Sequence, residues 1–139
     1  MSQMPPPPPS QPAQPPMGGA PSAVGGNKNL YTILAWALFP PIGSLIFLFV
    51  GKDDPDVKHN AAAATVIHGA ALVVYIILFI LSAVTIVLTP LLFVWYALWF
   101  IAWVVGLVLA LQANGARVQF PVVGAMAEKY VPMVEGWAK

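Results

Sequence analysis

The chain contains no cysteine. Disulfides, Cys-ligated zinc, iron–sulfur clusters and thiol nucleophiles are therefore excluded in any compartment. Charge is nearly as scarce: charged residues make up 8% of the 139 residues, against about 25% in an average soluble domain. Six Lys and Arg against five Asp and Glu leave a net charge of +1. That is too little to track a row of phosphates, so nucleic-acid binding is excluded. No charged residue lies between Lys28 and Lys52, or between Lys58 and Arg117. Apolar residues fill those gaps. Hydrophobic residues are 59% of the chain and the mean hydropathy is +0.79, the composition of a chain that resides in a bilayer rather than in water.

Three kinds of segment follow one another. Residues 1–29 hold nine of the fifteen prolines, mixed with Gln, Ser, Gly and Ala. Nothing there could bury a core, so a disordered proline-rich arm is expected, solvated or docked on a partner that binds polyproline. It lacks the basic start and apolar stretch of a signal peptide. Residues 30–113 read as the transmembrane domain. The first span, 30–50, is charge-free and long enough for a hydrocarbon core of about 30 Å. Pro40 and Pro41 at its midpoint remove two backbone donors and free the carbonyls of Trp36 and Ala37, so a kink is expected there. The polar loop 51–60 contains Asp54, an N-cap candidate, followed by Pro55 at the first helical position and Asp56 in the first turn. The helix it opens is expected to run to Leu88 with its span at about 64–88. Thr89-Pro90 should end it, and 91–113 forms a third span in a tight hairpin with the second. Residues 114–139 form an interfacial tail. Asn114-Gly115 stops the third span, and Val122, Val123, Met126, Tyr130 and Val131 give a short amphipathic helix opposite Glu128 and Lys129. Trp137 and Lys139 suit the same boundary.

Few residues could carry chemistry. Asp53, Asp54, Asp56 and His59 lie close together, but capping occupies two of the carboxylates, Lys52 and Lys58 offset the charge, and no calcium-loop spacing is present, so no metal site is expected. His68 lies within a span, on the same helix face as Thr65 and Tyr75, and forms a polar thread with them. The alternatives are a proton relay and a neutral histidine hydrogen-bonded to a neighbouring helix. No acidic or basic group lies in any span to accept a proton, so the second is expected. Ala61, Thr65 and Gly69 repeat at spacing four, a small-residue face that lets helix backbones approach closely. Trp95, Trp99 and Trp103 form a stripe at the same spacing, read as lipid-facing or packed aromatics rather than a binding groove. No nucleophile turn, phosphate loop or metal helix is present, so neither a catalytic site nor a cofactor is expected, and the protein is not expected to be an enzyme.

Three motifs carry a family resemblance over Asn29 to about Pro121. They are the interrupted first span Phe39-Pro40-Pro41-Ile42-Gly43, the loop Lys52-Asp53-Asp54-Pro55-Asp56-Val57-Lys58, and Ala113-Asn114-Gly115 followed by Phe120-Pro121. Together they resemble a family of small bacterial multi-span membrane proteins of unknown function, itself distantly similar to the small membrane subunit of the chloroplast inner-envelope protein-import translocon. The chain departs from that pattern at Asn60-Ala61 and Ala63, where the family shows His-Ala and then Gln or Asn. The resemblance implies membrane residence and membership of a larger assembly, and no catalytic residues.

The expectation is an all-α integral membrane protein of three spans in a bacterial inner or plasma membrane. It would serve as an accessory or scaffold subunit, as a homo-oligomer or in a larger complex, or alternatively as a component of a transport or protein-translocation system. Lys52, Lys58, Arg117 and Lys129 outnumber Lys28, which places the N-terminal arm outside and the C-terminus in the cytoplasm.

Overall fold

The computed structural model describes residues 27–139; the expected proline-rich arm lies outside them up to Gly26. The elements are α1 (Lys28–Ala37), α2 (Ile42–Val50), α3 (Pro55–Val84), α4 (Thr89–Ala113), α5 (Gly124–Ala127) and α6 (Val131–Glu135), with a 3-10 turn at Ile86–Leu88 between α3 and α4. There is no strand among the described residues.

The expected first span is two helices. Ten and nine residues give α1 and α2 lengths of about 15 and 13 Å, each about half a bilayer core. They are antiparallel. The rings of Tyr31 and Phe47 lie 5.4 Å apart, whereas a continuous helix would separate residues at that spacing by about 24 Å. Pro40 and Pro41 therefore do not kink one span; they sit in a turn, Leu38–Pro41, that reverses the chain. A proline pair cannot donate to the carbonyls of the preceding turn, and here Phe39 takes a positive φ of 28°. Gly43 completes the reversal, because a Cβ there would overlap the Leu38 carbonyl.

α3 begins where the side chain of Asp54 accepts hydrogen bonds from the backbone N–H groups of Asp56 (2.9 Å) and Val57 (3.0 Å), with Pro55 at the first helical position. It ends at Val84, four residues before the expected Leu88. Thr85 is extended, and its hydroxyl donates to the Leu81 carbonyl at 2.9 Å. Three of the four residues Val84-Thr85-Ile86-Val87 are followed by another β-branched residue, and such a run crowds the preceding helical turn and weakens it. Pro90, expected to end the second span, opens α4 instead. In a first turn its missing N–H leaves nothing unsatisfied. α4 stops at Ala113 because Asn114 (φ 48°) and Gly115 (φ 83°) are both left-handed. Gly115 lies against Lys28 and Asn29 at the start of α1, where a side chain would crowd them.

The core is confined to one end. Trp36 is fully buried, stacked on Phe120 (5.7 Å) and edge-on to His68 (5.8 Å). Leu48, Ala61 to Ala64, Ala110, Val118, Val131 and Val134 surround it. The buried residues of α3 all lie between Val57 and His68, and those of α4 are Gly106 and Ala110. Beyond them α3 and α4 pair mainly with each other, with Met126 and Tyr130 of the tail over one side as far as Val74. That hairpin shows large apolar side chains outward, among them Phe93 (69% exposed), Val84 (79%) and Val87 (81%).

The tail differs from the expected single amphipathic helix. α5 and α6 fold back on the start of α3, and they bury Ala127, Val131, Val134 and Ala138. Four of the five expected apolar side chains point outward instead, Val122 (91% exposed) and Met126 (66%) among them, and only Val131 of that face is buried.

The small-residue face also divides. Ala61 and Thr65 are buried, but a Cβ on Gly69 would meet nothing within 4 Å. The close approach belongs to Gly106, where a Cβ would run into the Trp36 ring. Gly106→Val should therefore lower stability by about 1–3 kcal/mol through overpacking. Gly69→Leu should stay within about 0.5 kcal/mol of the parent. Thermal unfolding in detergent, followed by circular dichroism, separates the two; a larger loss at Gly69 than at Gly106 would reverse the assignment.

Candidate functional site

The polar side chains gather in two places, a knot at the end carrying the core and a thread descending from it. The knot starts at Asn60, a fully buried residue one turn into α3. Its carboxamide nitrogen donates to the Ala116 carbonyl (2.9 Å) and the Thr32 hydroxyl (3.3 Å), and its oxygen accepts from the Val118 N–H (2.7 Å). One amide thus pairs with the backbone at 116–118 as a neighbouring peptide would, and also holds α1. Asp56 lies one turn earlier. One of its oxygens accepts from Lys28 and the other from Arg117 Nε at 3.0 Å. Lys28 therefore stands beside the 51–60 loop and the tail, not across a membrane from them as a three-span chain would require. The Lys28 bond, with Arg117 adding to it against the effect of burial, holds the Asp56 carboxyl below the usual carboxylate range.

His59 fixes the tail. The ring is 7% exposed, with Nε2 3.1 Å from Glu128 Oε1 and Nδ1 3.3 Å from Glu135 Oε1. A doubly protonated ring donates to both carboxylates, and a neutral one to a single carboxylate. The candidate ligand set Asp53, Asp54, Asp56 and His59 is not brought together. Asp54 caps α3, Asp56 faces Lys28 and Arg117, and His59 faces the tail. Among the described residues no three metal-ligating side chains converge.

The thread Thr65, His68 and Tyr75 is linked through other helices rather than along its own. The Thr65 hydroxyl lies 2.9 Å from Ser44 Oγ and 2.8 Å from the Ala61 carbonyl, and Ser44 Oγ lies 2.7 Å from the Pro41 carbonyl. The two hydroxyls thereby tie the hairpin turn to α3. His68 is fully buried, and its Nδ1 accepts the indole proton of Trp99 at 3.1 Å. In the neutral ring this leaves the hydrogen on Nε2. That Nε2 and the Trp36 Nε1 are both buried without a hydrogen-bond partner. Tyr75 packs against Trp99 with ring centroids 6.0 Å apart.

The tryptophan stripe is a ladder. At spacing four on α4, Trp95 donates to the Ala71 carbonyl (3.0 Å), Trp99 to His68, and Trp103 to the Ala37 carbonyl (3.3 Å). The last contact resolves an expectation from the sequence: the carbonyl that Pro41 cannot satisfy is taken by an indole of another helix. Two apolar hollows flank the ladder. One of about 320 Å³ lies beside the hairpin turn, between Pro40 and Tyr96. The other, of about 330 Å³, runs between α3 and α4 beneath α5.

Sequence reasoning missed Asn60, the Glu128–His59–Glu135 contact and Gly106. An amide at the border of a long apolar run was the available sign for Asn60, since such a group must find partners when buried. Nothing local marks the other two, whose partners lie on distant elements. The chain matches no protein-family model, no characterised protein and no solved structure.

Two outcomes test the knot. Asn60→Ala leaves the buried Val118 N–H unpaired and frees the Ala116 carbonyl, and should cost about 1–3 kcal/mol in thermal or denaturant unfolding. Asp56→Asn tests the ion pairs. Because the folded carboxyl titrates below its unfolded value, its stabilisation is complete above about pH 4 and is lost as pH falls through the lower folded value. The difference in melting temperature between parent and Asp56→Asn should thus be constant from pH 5 to neutrality and shrink toward zero in stronger acid. A difference that does not shrink would show that the pairs are not responsible.

Proposed function

We propose that this is a small integral membrane protein of a bacterial inner membrane, acting as an accessory or scaffold subunit of a membrane assembly. In this reading α3 and α4 cross the bilayer as an antiparallel pair. The α1–α2 hairpin enters from the polar end and turns back near mid-depth, and α5 and α6 lie at the interface on the polar side. The observation that carries the reading is the α3–α4 hairpin: both helices are long and apolar enough to cross a membrane, and they expose that apolar surface rather than bury it. A core helix of a soluble protein would be covered. Irregular backbone at membrane depth is tolerated where protein satisfies it, and Trp103 and Ser44 supply the turn at Leu38–Pro41 with such partners.

Orientation follows from charge. With the first segment folded back, all six Lys and Arg stand at one end: Lys28, Lys52, Lys58, Arg117, Lys129 and Lys139. That end is assigned to the cytoplasm, with both the arm and the C-terminus on it. A scaffold role is supported by the engagement of the polar side chains, which hold segments together around the knot. The family resemblance of the Lys52–Lys58 loop points to the same kind of subunit. The second reading, a transport or translocation component, is favoured by the re-entrant hairpin and the two unpartnered buried N–H groups at His68 and Trp36.

The absence of native cysteine makes the test direct. In intact cells a membrane-impermeant maleimide should label Thr85→Cys, and should reach Lys52→Cys and Lys139→Cys only after permeabilisation. Labelling of Lys52→Cys from outside, or of Lys52→Cys and Lys139→Cys from opposite sides, would defeat the topology. Native mass spectrometry of detergent-extracted complexes tests the role: a stoichiometric partner is expected of a scaffold subunit, and a ring of this chain alone would favour the second reading.

A further inference from the structure

We infer that His59 is a proton-operated clasp on the tail: the protonated ring holds α5 and α6 against α3, and the neutral ring lets them go. The clasp goes beyond the membrane placement proposed above and stands without it. One side chain of α3 meets the ends of both short helices. The His59 ring, 7% exposed, has Nε2 3.1 Å from Glu128 Oε1, just past α5, and Nδ1 3.3 Å from Glu135 Oε1, at the last residue of α6. Among the described residues no other side-chain hydrogen bond or ion pair ties residues 121–139 to the rest of the chain. Burial of Ala127, Val131, Val134 and Ala138 does the remaining work of docking. Helices of four and five residues are far below the length at which a helix persists by itself, so the tail depends on its contacts with α3.

The proton decides how many carboxylates the ring can serve. An imidazolium has two N–H donors and a positive charge, and its bonds to carboxylates are about twice as strong as neutral ones. A neutral ring keeps one N–H. Its other nitrogen then sets a lone pair against a carboxylate oxygen, and no cation stands between Glu128 and Glu135. Those side chains are 53% and 30% exposed, so water can take them up once the tail lifts. Histidine ordinarily changes charge between pH 5 and 8, where ordinary carboxylates stay ionised. No other ion-pair partner meets the ring from the elements around it. On α3, Asp56 is turned to Lys28 of α1 and to Arg117, and Asp54 caps the helix. Lys52 and Asp53 of the preceding loop, Lys58 of α3, and Lys129 and Lys139 of the tail make no ion pair among the described residues. α2 and α4 carry no charged side chain. The other histidine, His68, is bonded to Trp99 of α4. Mild acid therefore closes the clasp, and rising pH loosens it.

The absence of native cysteine again gives the readout, in full-length protein in dodecyl maltoside. Val134→Cys places a thiol at a buried position of α6, and Val122→Cys places one at an exposed position of the same tail. The ratio of their labelling rates with a charged methanethiosulfonate cancels the pH dependence of the thiol itself. That ratio should rise about fivefold from about pH 5.5 to pH 7.5, the size of one charged hydrogen bond partly screened by water. His59→Gln should remove the pH dependence and hold the ratio at its higher value. Glu135→Gln should hold it at the lower value across the range, because the new amide can donate to the lone pair of a neutral ring. A stabilising charge without this donor requirement would not give that rescue. If Val134→Cys does not fold, Ala138→Cys, equally buried, takes its place. A ratio that ignores pH, a response that survives in His59→Gln, or a response retained in Glu135→Gln would each overturn the inference. So would a loss of helical circular dichroism in step with the labelling, which would make the opening global.

Discussion

A single carboxamide makes the compact end of this fold possible. Asn60 is buried where an unpaired polar group would be costly, and its partners lie on two distant stretches of chain: Thr32 on α1, and the backbone at Ala116 and Val118 beyond α4. The side chain meets its hydrogen-bonding requirement only when α1, α3 and the segment after α4 converge. Lys28, Asp56 and Arg117 repeat the same three-way join one turn away, at the solvent edge. The inner tie supplies uniqueness, since few other arrangements satisfy the amide. The outer tie supplies charge attraction that water and salt partly screen.

From that join the rest of the architecture follows by length. If the start of α1 and the end of α2 must both lie near the polar end, helices of ten and nine residues can descend only part of the way before returning. The turn at Leu38–Pro41 is then placed among protein groups, and Trp103 reaches it from α4. The indole ladder has a double role. It joins helices whose contact, in the proposed membrane placement, would gain nothing from exclusion of water, so that packing and interhelical hydrogen bonds must serve. It also removes the open carbonyl that the prolines create.

Much of this was legible in the residues, but unevenly. The helical class, the α3 N-cap at Asp54-Pro55 and the stop at Asn114-Gly115 are local chemistry, and local chemistry can be read from a short window. The two long apolar helices are equally legible, because their composition alone distinguishes them. The first segment was misread because hydropathy counts residues and does not register direction. Twenty-one uncharged residues can run on as one helix or fold back as two, and Asn60 and Lys28, which lie outside the segment itself, hold its start beside α3 and the tail. The end of α3 was misplaced for a related reason: Pro90 is the more obvious punctuation, but a run of β-branched residues had already ended the helix and left the proline to start the next. The small-residue face divides in the structure. Ala61 and Thr65 pack, while Gly69 shares their spacing and not their neighbours, since the helix had by then left the core. Trp95, Trp99 and Trp103 were visible as a stripe, but the acceptor of each lies on another helix, and no spacing within one helix announces it.

The tip of the α3–α4 hairpin bears on how the chain enters a bilayer. Between Ser82 and Pro90 there is no charged side chain, and part of the backbone of the turn is paired, with Thr85 N–H bonded to the Leu81 carbonyl (2.8 Å) and Leu88 N–H to the Thr85 carbonyl (3.1 Å). A connecting loop of ordinary composition would have to be dehydrated to pass through hydrocarbon, at a cost of several kcal/mol for each unpaired polar group. This one has no charge to dehydrate and fewer open backbone groups. In the membrane placement proposed above, the two helices would enter together, tip first, with the polar base kept on its own side.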